Sequence, residues 1–216
     1  MRYILVLLMA SLLFSCRTPV LDSKGSFTVD NGSFSFAASK DAFKLADFKI
    51  DGELISLVTE LEDDLKINLD ESVRWRMSAP LHDDHTLIYN ESSKKPNLKF
   101  TRSIYVDREK SQVKIRYNLK NRNSDKAIRF SWALRAKMNQ KLEVTKQDKV
   151  LSLLDAKSTL VFKSDKKISS EIKGGLVEIS LNESAQFQVL QPLNRLSWQV
   201  ILDIQSMEKS SWWQIF

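Results

Sequence analysis

Cysteine, histidine and glycine are all scarce in this chain, and each scarcity closes off a kind of chemistry. The 216 residues include one cysteine, Cys16, so no intrachain disulfide can brace the fold and packing has to hold it together. Histidine occurs only at positions 82 and 85, which confines any imidazole acid–base or metal chemistry to one short stretch. Five glycines leave little room for phosphate-cradling loops. Neither a Walker loop, a dinucleotide glycine fingerprint nor a G-x-S-x-G nucleophile elbow is present. Beyond the N-terminus no long stretch repeats at 3.6 residues, and none is of low complexity.

What is present begins with "MRYILVLLMASLLFS". One Arg precedes a nearly unbroken apolar run from Tyr3 to Phe14, shorter than the roughly 20 residues a transmembrane helix needs. A charged start, a short apolar run and a small residue at its end describe a secretory signal over residues 1–15. Leu13-Phe14-Ser15 runs straight into Cys16, and this junction resembles the lipobox of bacterial lipoproteins. The resemblance implies diacylglycerol on the Cys16 thiol and cleavage before it. An unpaired thiol in an exported chain is otherwise an anomaly, and more than one acyl chain is needed for firm anchoring. The expectation is a signal peptide at 1–15, a lipidated tether at 16–25 and one domain at 26–216, held to a membrane through Cys16. Arg17 in place of Asp behind the cysteine points to the outer membrane of a bacterial envelope, on its periplasmic side.

Removing residues 1–15 leaves 201, enough for one domain with a sizeable core. It also takes one of 33 basic residues, leaving 32 against 27 acidic, or +5. That bias suits an anionic envelope surface without selecting a polyanion, and with an exported location it argues against nucleic acid.

From Ser26 onward the period is two. "SFTVDNGSFSF" forms two alternating runs around Asn31-Gly32, the strongest short hairpin signal, and "FKLADFKIDGELISLV" repeats the idea around Asp51-Gly52. In "SQVKIRYNLK", Val113, Ile115, Tyr117 and Leu119 share a face. In "RFSWALRAKM", Phe130, Trp132, Leu134, Ala136 and Met138 do so, and in "RLSWQVILDI", Leu196, Trp198, Val200, Leu202 and Ile204. Turn-like breaks at 121–125, 165–167, 174–175 and 182–184 separate the runs at the spacing of an all-β sandwich. The expected fold is a single antiparallel β-sandwich.

The order of these runs resembles galactose mutarotase-like domains. The resemblance is carried by "NGSFSFAASKDAFKLADFKIDGELIS", by Trp75 in "VRWRM", by "LKFTRSIYVDREKSQVKIRYNLKNRNSDKAIRFSWALRAKM" and by "LNRLSWQVILDI". It covers most of residues 26–205 and implies a twisted β-supersandwich, a fold often used to bind carbohydrate. The family's catalytic histidines are not carried over. Its "HpyF" segment falls near 134–137, where this chain reads Leu-Arg-Ala-Lys, and no histidine follows His85.

Candidate sites are few. His82 and His85 in "PLHDDHTLIY" read as a polar hairpin turn, and no metal or cofactor is expected. Glu60, Glu62, Asp63 and Asp64 read as a solvated acidic turn. If the runs at 111–120 and 129–138 pair through a short turn, Lys114, Arg116, Arg129, Arg135 and Lys137 form one basic sheet face suited to carboxylates or phosphates, with Trp75 available to stack on a sugar ring. Such a face is equally what a solvated antiparallel sheet displays. The tail "SSWWQIF" reads as a last strand or plug. These features favour a non-catalytic carbohydrate- or anion-binding lipoprotein. A scaffold that binds another envelope protein is the alternative, and a sugar-modifying enzyme ranks third.

Overall fold

The computed structural model describes residues 20–21, 26–30, 34–54, 57–68, 73–82, 86–107, 112–138, 143–147, 149–154, 158–181 and 187–206. Cys16, His85 and the aromatic tail therefore lie outside the described residues. Those described form strands and no helix. In chain order the strands are β1 (Val20–Leu21), β2 (Ser26–Asp30), β3 (Phe34–Ser39), β4 (Lys44–Ile50), β5 (Glu53–Leu54), β6 (Val58–Asn68), β7 (Arg76–Met77), β8 (Leu81–His82), β9 (Thr86–Lys94) and β10 (Asn97–Val106). They continue with β11 (Gln112–Asn121), β12 (Ile128–Met138), β13 (Glu143–Gln147), β14 (Val150–Leu154), β15 (Ser158–Ser164), β16 (Ile168–Lys173), β17 (Leu176–Leu181), β18 (Gln188–Leu190) and β19 (Arg195–Ser206).

Two antiparallel sheets result. Sheet one runs β1-β2-β3-β4-β6-β12-β17-β16, with β5 beside β4 and β18 beside β12. Sheet two runs β13-β14-β15-β19-β11-β10-β9-β7, with β8 beside β9. The strands expected to pair do so: Asp30 of β2 lies opposite Ser35 of β3, with Asn31-Gly32 outside the described residues, and Ile50 lies opposite Glu53. Between the latter, Asp51 and Gly52 have φ of 49° and 82°, the paired left-handed residues that let a two-residue turn follow the strand twist. Val20–Leu21, inside the segment read as a tether, pair with Thr28 and Phe27 as β1.

The core lies between the sheets, where the alternating apolar faces meet. Val113, Ile115, Tyr117 and Leu119 of β11 are buried, as are Phe130, Trp132, Leu134 and Ala136 of β12 and Trp198, Val200, Leu202 and Ile204 of β19. Fully burying one such large apolar side chain contributes about 1.5–3 kcal/mol. The aromatic members pack ring on ring. Tyr117 stacks on Trp198 at 5.3 Å and meets Trp132 edge-on at 4.7 Å, within the range where aromatic geometry adds to area burial.

The chain departs from expectation after Asn121. The break at 121–125 does not turn β11 back beside β12; it carries the chain across the sandwich, so the two strands belong to different sheets. Fully buried Asn121 holds this crossing. Its Nδ2 lies 2.8 Å from the Lys126 carbonyl and 3.2 Å from those of Leu190 and Gln191. Its Oδ1 accepts from the Asn123 backbone N–H at 3.1 Å. Its amide N–H groups are thus shared among carbonyls of the crossing loop, which need partners in the interior.

Candidate ligand-binding face

Three sets of cations are distinguished by what faces them. The first is interior. On β10, alternation turns Leu98, Phe100, Arg102 and Ile104 toward the core, where all four are buried. On β6 it turns Leu61, Asp63, Leu65 and Ile67 the same way. Arg102 and Asp63 thus meet between the sheets, with Nε–Oδ2 at 2.7 Å and Nη2–Oδ1 at 2.8 Å. This is the two-point geometry that suits guanidinium to carboxylate. Nη1 lies 2.9 Å from Glu91 Oε1, an ion-pair distance. The guanidinium also sits over the Phe100 ring at 4.3 Å.

Burial raises the Asp63 carboxyl above its ordinary pKa, and Arg102 opposes that by charge and hydrogen bonding. Burial would lower the Arg102 pKa, but Asp63 and Glu91 together outweigh it and the net direction is up. Asp63 is no member of a solvated acidic turn, contrary to the sequence reading. Its side chain is 1% exposed, and "LEDDLKI" is a strand whose apolar period of two passes through an aspartate.

The second set lies on the outer face of sheet one. Arg129, Arg135 and Lys137 of β12 point there, and acids stand beside the last two. Arg135 bridges Asp64 of β6 at 3.0 Å and Glu178 of β17 at 2.9 Å; its pKa is raised, first by the hydrogen bond to Glu178. Lys137 stands opposite Glu60 in the register, and Lys44 of β4 pairs with Glu60 at 3.0 Å. Arg129 lies over the Phe187 ring at 5.9 Å. Arg116 is not with them. It projects from sheet two on the opposite side of the sandwich, so the single basic face drawn from the sequence is split in two. Trp75 packs against the core beside Phe100 at 6.5 Å and joins neither half. His82 of β8 lies against Phe27 at 5.1 Å.

The third set is on the outer face of sheet two. A basin of about 370 Å³ is lined there by Lys99, Arg116, Lys120, Arg122 and Arg195, over a floor that includes Thr101, Ser103, Asn118 and Ser197. No lining residue is acidic. Register explains the crowding: Lys99 of β10 stands opposite Lys120 of β11, and Lys120 opposite Arg195 of β19. Continuing the row outward, Lys99 faces Ser92 of β9 and Ser92 faces Arg76 of β7. One line across five strands therefore carries four cations. Like charges directly opposite on adjacent strands are destabilising, and here no acid intervenes among the described residues.

One row along, the floor is neutral and ordered, with Thr101 Oγ1 donating to Asn90 Oδ1 at 3.0 Å and Asn118 Nδ2 to Ser197 Oγ at 3.1 Å. Beyond it Arg116 lies 5.4 Å from the Tyr105 ring centroid. The basin's end is held by the Asn121 crossing, since the Asn121 N–H donates to the Asn194 carbonyl at 2.9 Å and the Arg122 N–H to that of Asn97 at 2.8 Å. Of this group, sequence reasoning found only Arg116. The alternation of "LKFTRS" and "RLSWQ" is the signal that turns Lys99 and Arg195 outward, but nothing local places their strands on either side of β11.

No family model matches the chain, and no curated protein matches it. Solved structures do. A candidate aldose 1-epimerase from Escherichia coli K12 superposes with a TM-score of 0.62 at 7% identity, over 84% of this chain and 99% of that one. A GH36 α-galactosidase from Geobacillus stearothermophilus gives 0.57 at 10%, over 84% of this chain and 40% of that one. A heparan sulfate lyase from Pedobacter heparinus gives 0.54 at 10%, over 89% and 37%. The chain thus spans well under half the length of the latter two. At such identities the likeness is one of fold: the protein is an antiparallel sandwich of the galactose mutarotase-like kind, a fold found in carbohydrate-related proteins.

Proposed function

We propose that the protein is a non-catalytic carbohydrate-binding domain, carried on a lipid anchor at Cys16 in a bacterial cell envelope, on the periplasmic side of the outer membrane. The observation that carries the binding role is the basin on sheet two. It combines a floor of ordered hydroxyl and amide groups with a rim of cations that no acid satisfies among the described residues, and sugar hydroxyls and acidic substituents would supply what that surface lacks. The lining residues are donors and small polar groups. None is a histidine or a carboxylate, the types that move protons in sugar chemistry, which supports holding a saccharide over converting one. The fold neighbours named for sugar enzymes support the ligand class.

Two measurements test the reading. The full chain in non-ionic detergent, screened by thermal shift against a panel of neutral and acidic glycans, is expected to be stabilised by some of them; no shift with any glycan overturns the binding role. Cys16→Ser is expected to abolish lipidation and release the protein from membranes washed in high salt; retention of the variant overturns the anchor.

A further inference from the structure

We infer that the saccharide taken by the basin is an acidic polymer lying across the strands, with its anionic groups read by the row Arg76, Lys99, Lys120 and Arg195; this rests on the carbohydrate-binding reading above. The direction follows from the register. Neighbouring strands are about 4.8 Å apart, so the Lys99–Lys120–Arg195 segment extends over about 10 Å and the row from Arg76 to Arg195 over about 20 Å. A single sugar ring does not reach along it, whereas an oligosaccharide does.

The charge follows from the company these residues keep. On sheet one's outer face, Arg135, Lys44 and Lys66 each have a carboxylate within 4 Å. On this face, Lys99 stands opposite Lys120 and Lys120 opposite Arg195, and none of the basin's described lining residues is acidic. The chain thus neutralises those three cations of sheet one and leaves these opposed. A carboxylated or sulfated chain would remove that repulsion on binding, whereas a neutral chain would leave it in place. The geometry also favours a polymer over a flat anionic surface. The charges rim a depression whose floor includes Thr101, Asn118 and Ser197, and a chain lying in it meets cations and hydrogen-bonding groups together, whereas a planar array of headgroups meets the rim first.

The test uses the full chain in non-ionic detergent, titrated with dextran, dextran sulfate, polygalacturonate and inorganic polyphosphate at low and high salt. Dextran sulfate and polygalacturonate are expected to bind with affinities that fall as salt rises, because exposed charge pairs are screened, and more tightly than either dextran or polyphosphate. Lys120→Gln with Arg195→Gln is expected to weaken acidic-polymer binding by at least tenfold, a loss typical of charge-assisted contacts. Arg135→Gln with Lys137→Gln, on the far face, is expected to change it less than twofold. Both pairs are exposed or half-buried, and a melting curve establishes that each variant is folded.

Dextran binding as tightly as dextran sulfate overturns the acidic ligand and leaves the carbohydrate reading standing. Polyphosphate binding equally well overturns the saccharide, since charge alone then suffices. Equal loss from both variant pairs overturns the basin as the site. Failure of all four polymers, together with the neutral and acidic glycans of the earlier panel, overturns both readings.

Discussion

Strand β10 carries a cation on each face, and the two are treated in opposite ways. Inward, Arg102 is 5% exposed and has Asp63 and Glu91 within 3 Å. Outward, Lys99 stands opposite another lysine. A buried charge must be matched, because leaving it unpaired in the interior costs several kcal/mol. An outward charge can go unmatched because water and salt screen it, at a cost of only tenths of a kcal/mol. Interior charge therefore reports what the fold requires. Unmatched exterior charge is what the fold can do without, and it is the better guide to a ligand.

The largest effect expected is inside. Arg102→Ala should cost about 3–5 kcal/mol by urea denaturation, because it strands Asp63 in the core. Arg102→Met combined with Asp63→Leu and Glu91→Gln should cost much less, since it removes the charges together. If the triple variant is as unstable as the single one, Arg102 contributes by packing alone and the contrast between the faces of β10 collapses.

Next is an alkaline effect. Burial raises the pKa of Tyr117 and Tyr89 well above the ordinary phenol value. The folded state thus holds protons that the unfolded chain releases above about pH 10, so stability is complete below that pH and falls as pH rises past it, by up to about 1.4 kcal/mol per pH unit for each residue. Phenolate absorbance from these two tyrosines should appear together with unfolding. Its appearance in the folded protein would show that the interior is less insulated from solvent than the comparison requires.

The smallest effect carries the opposite sign. Lys120→Gln should raise stability by about 0.2–1 kcal/mol, since it relieves two like-charge oppositions. Arg135→Gln, on the matched face of sheet one, should lower it by a similar amount. Melting temperatures that move in the same direction would break the distinction between matched and unmatched exterior cations.

Much of this was legible in the sequence, because alternation is a local signal. It assigned the inward faces of β11, β12 and β19, the pairing of β2 with β3, and the Asp51-Gly52 hairpin. It did not reveal which strands share a sheet. Asn121–Asn123 looks like a turn in either topology, and only the carbonyls from Leu190 and Gln191, nearly seventy residues away, make it a crossing. That misreading grouped Arg116 with Arg129, Arg135 and Lys137 and concealed its real neighbours. Asp63 was missed for a related reason. Four acids in five residues look solvated unless the strand period is carried through them and an inward arginine is sought on another strand.

The position of β19 has a consequence for how the molecule is made. It pairs with β11 on one side and β15 on the other, so the strand that begins at Arg195 lies in the interior of sheet two. A chain emerging N-terminus first exposes the free edges of β11 and β15 until β19 arrives, and such edges invite pairing with other chains. Distant partners of this kind also make closure slow relative to local hairpins. Lys120 and Lys163, which flank the gap on β11 and β15, give those waiting edges positive charge and discourage edge-to-edge association during that interval.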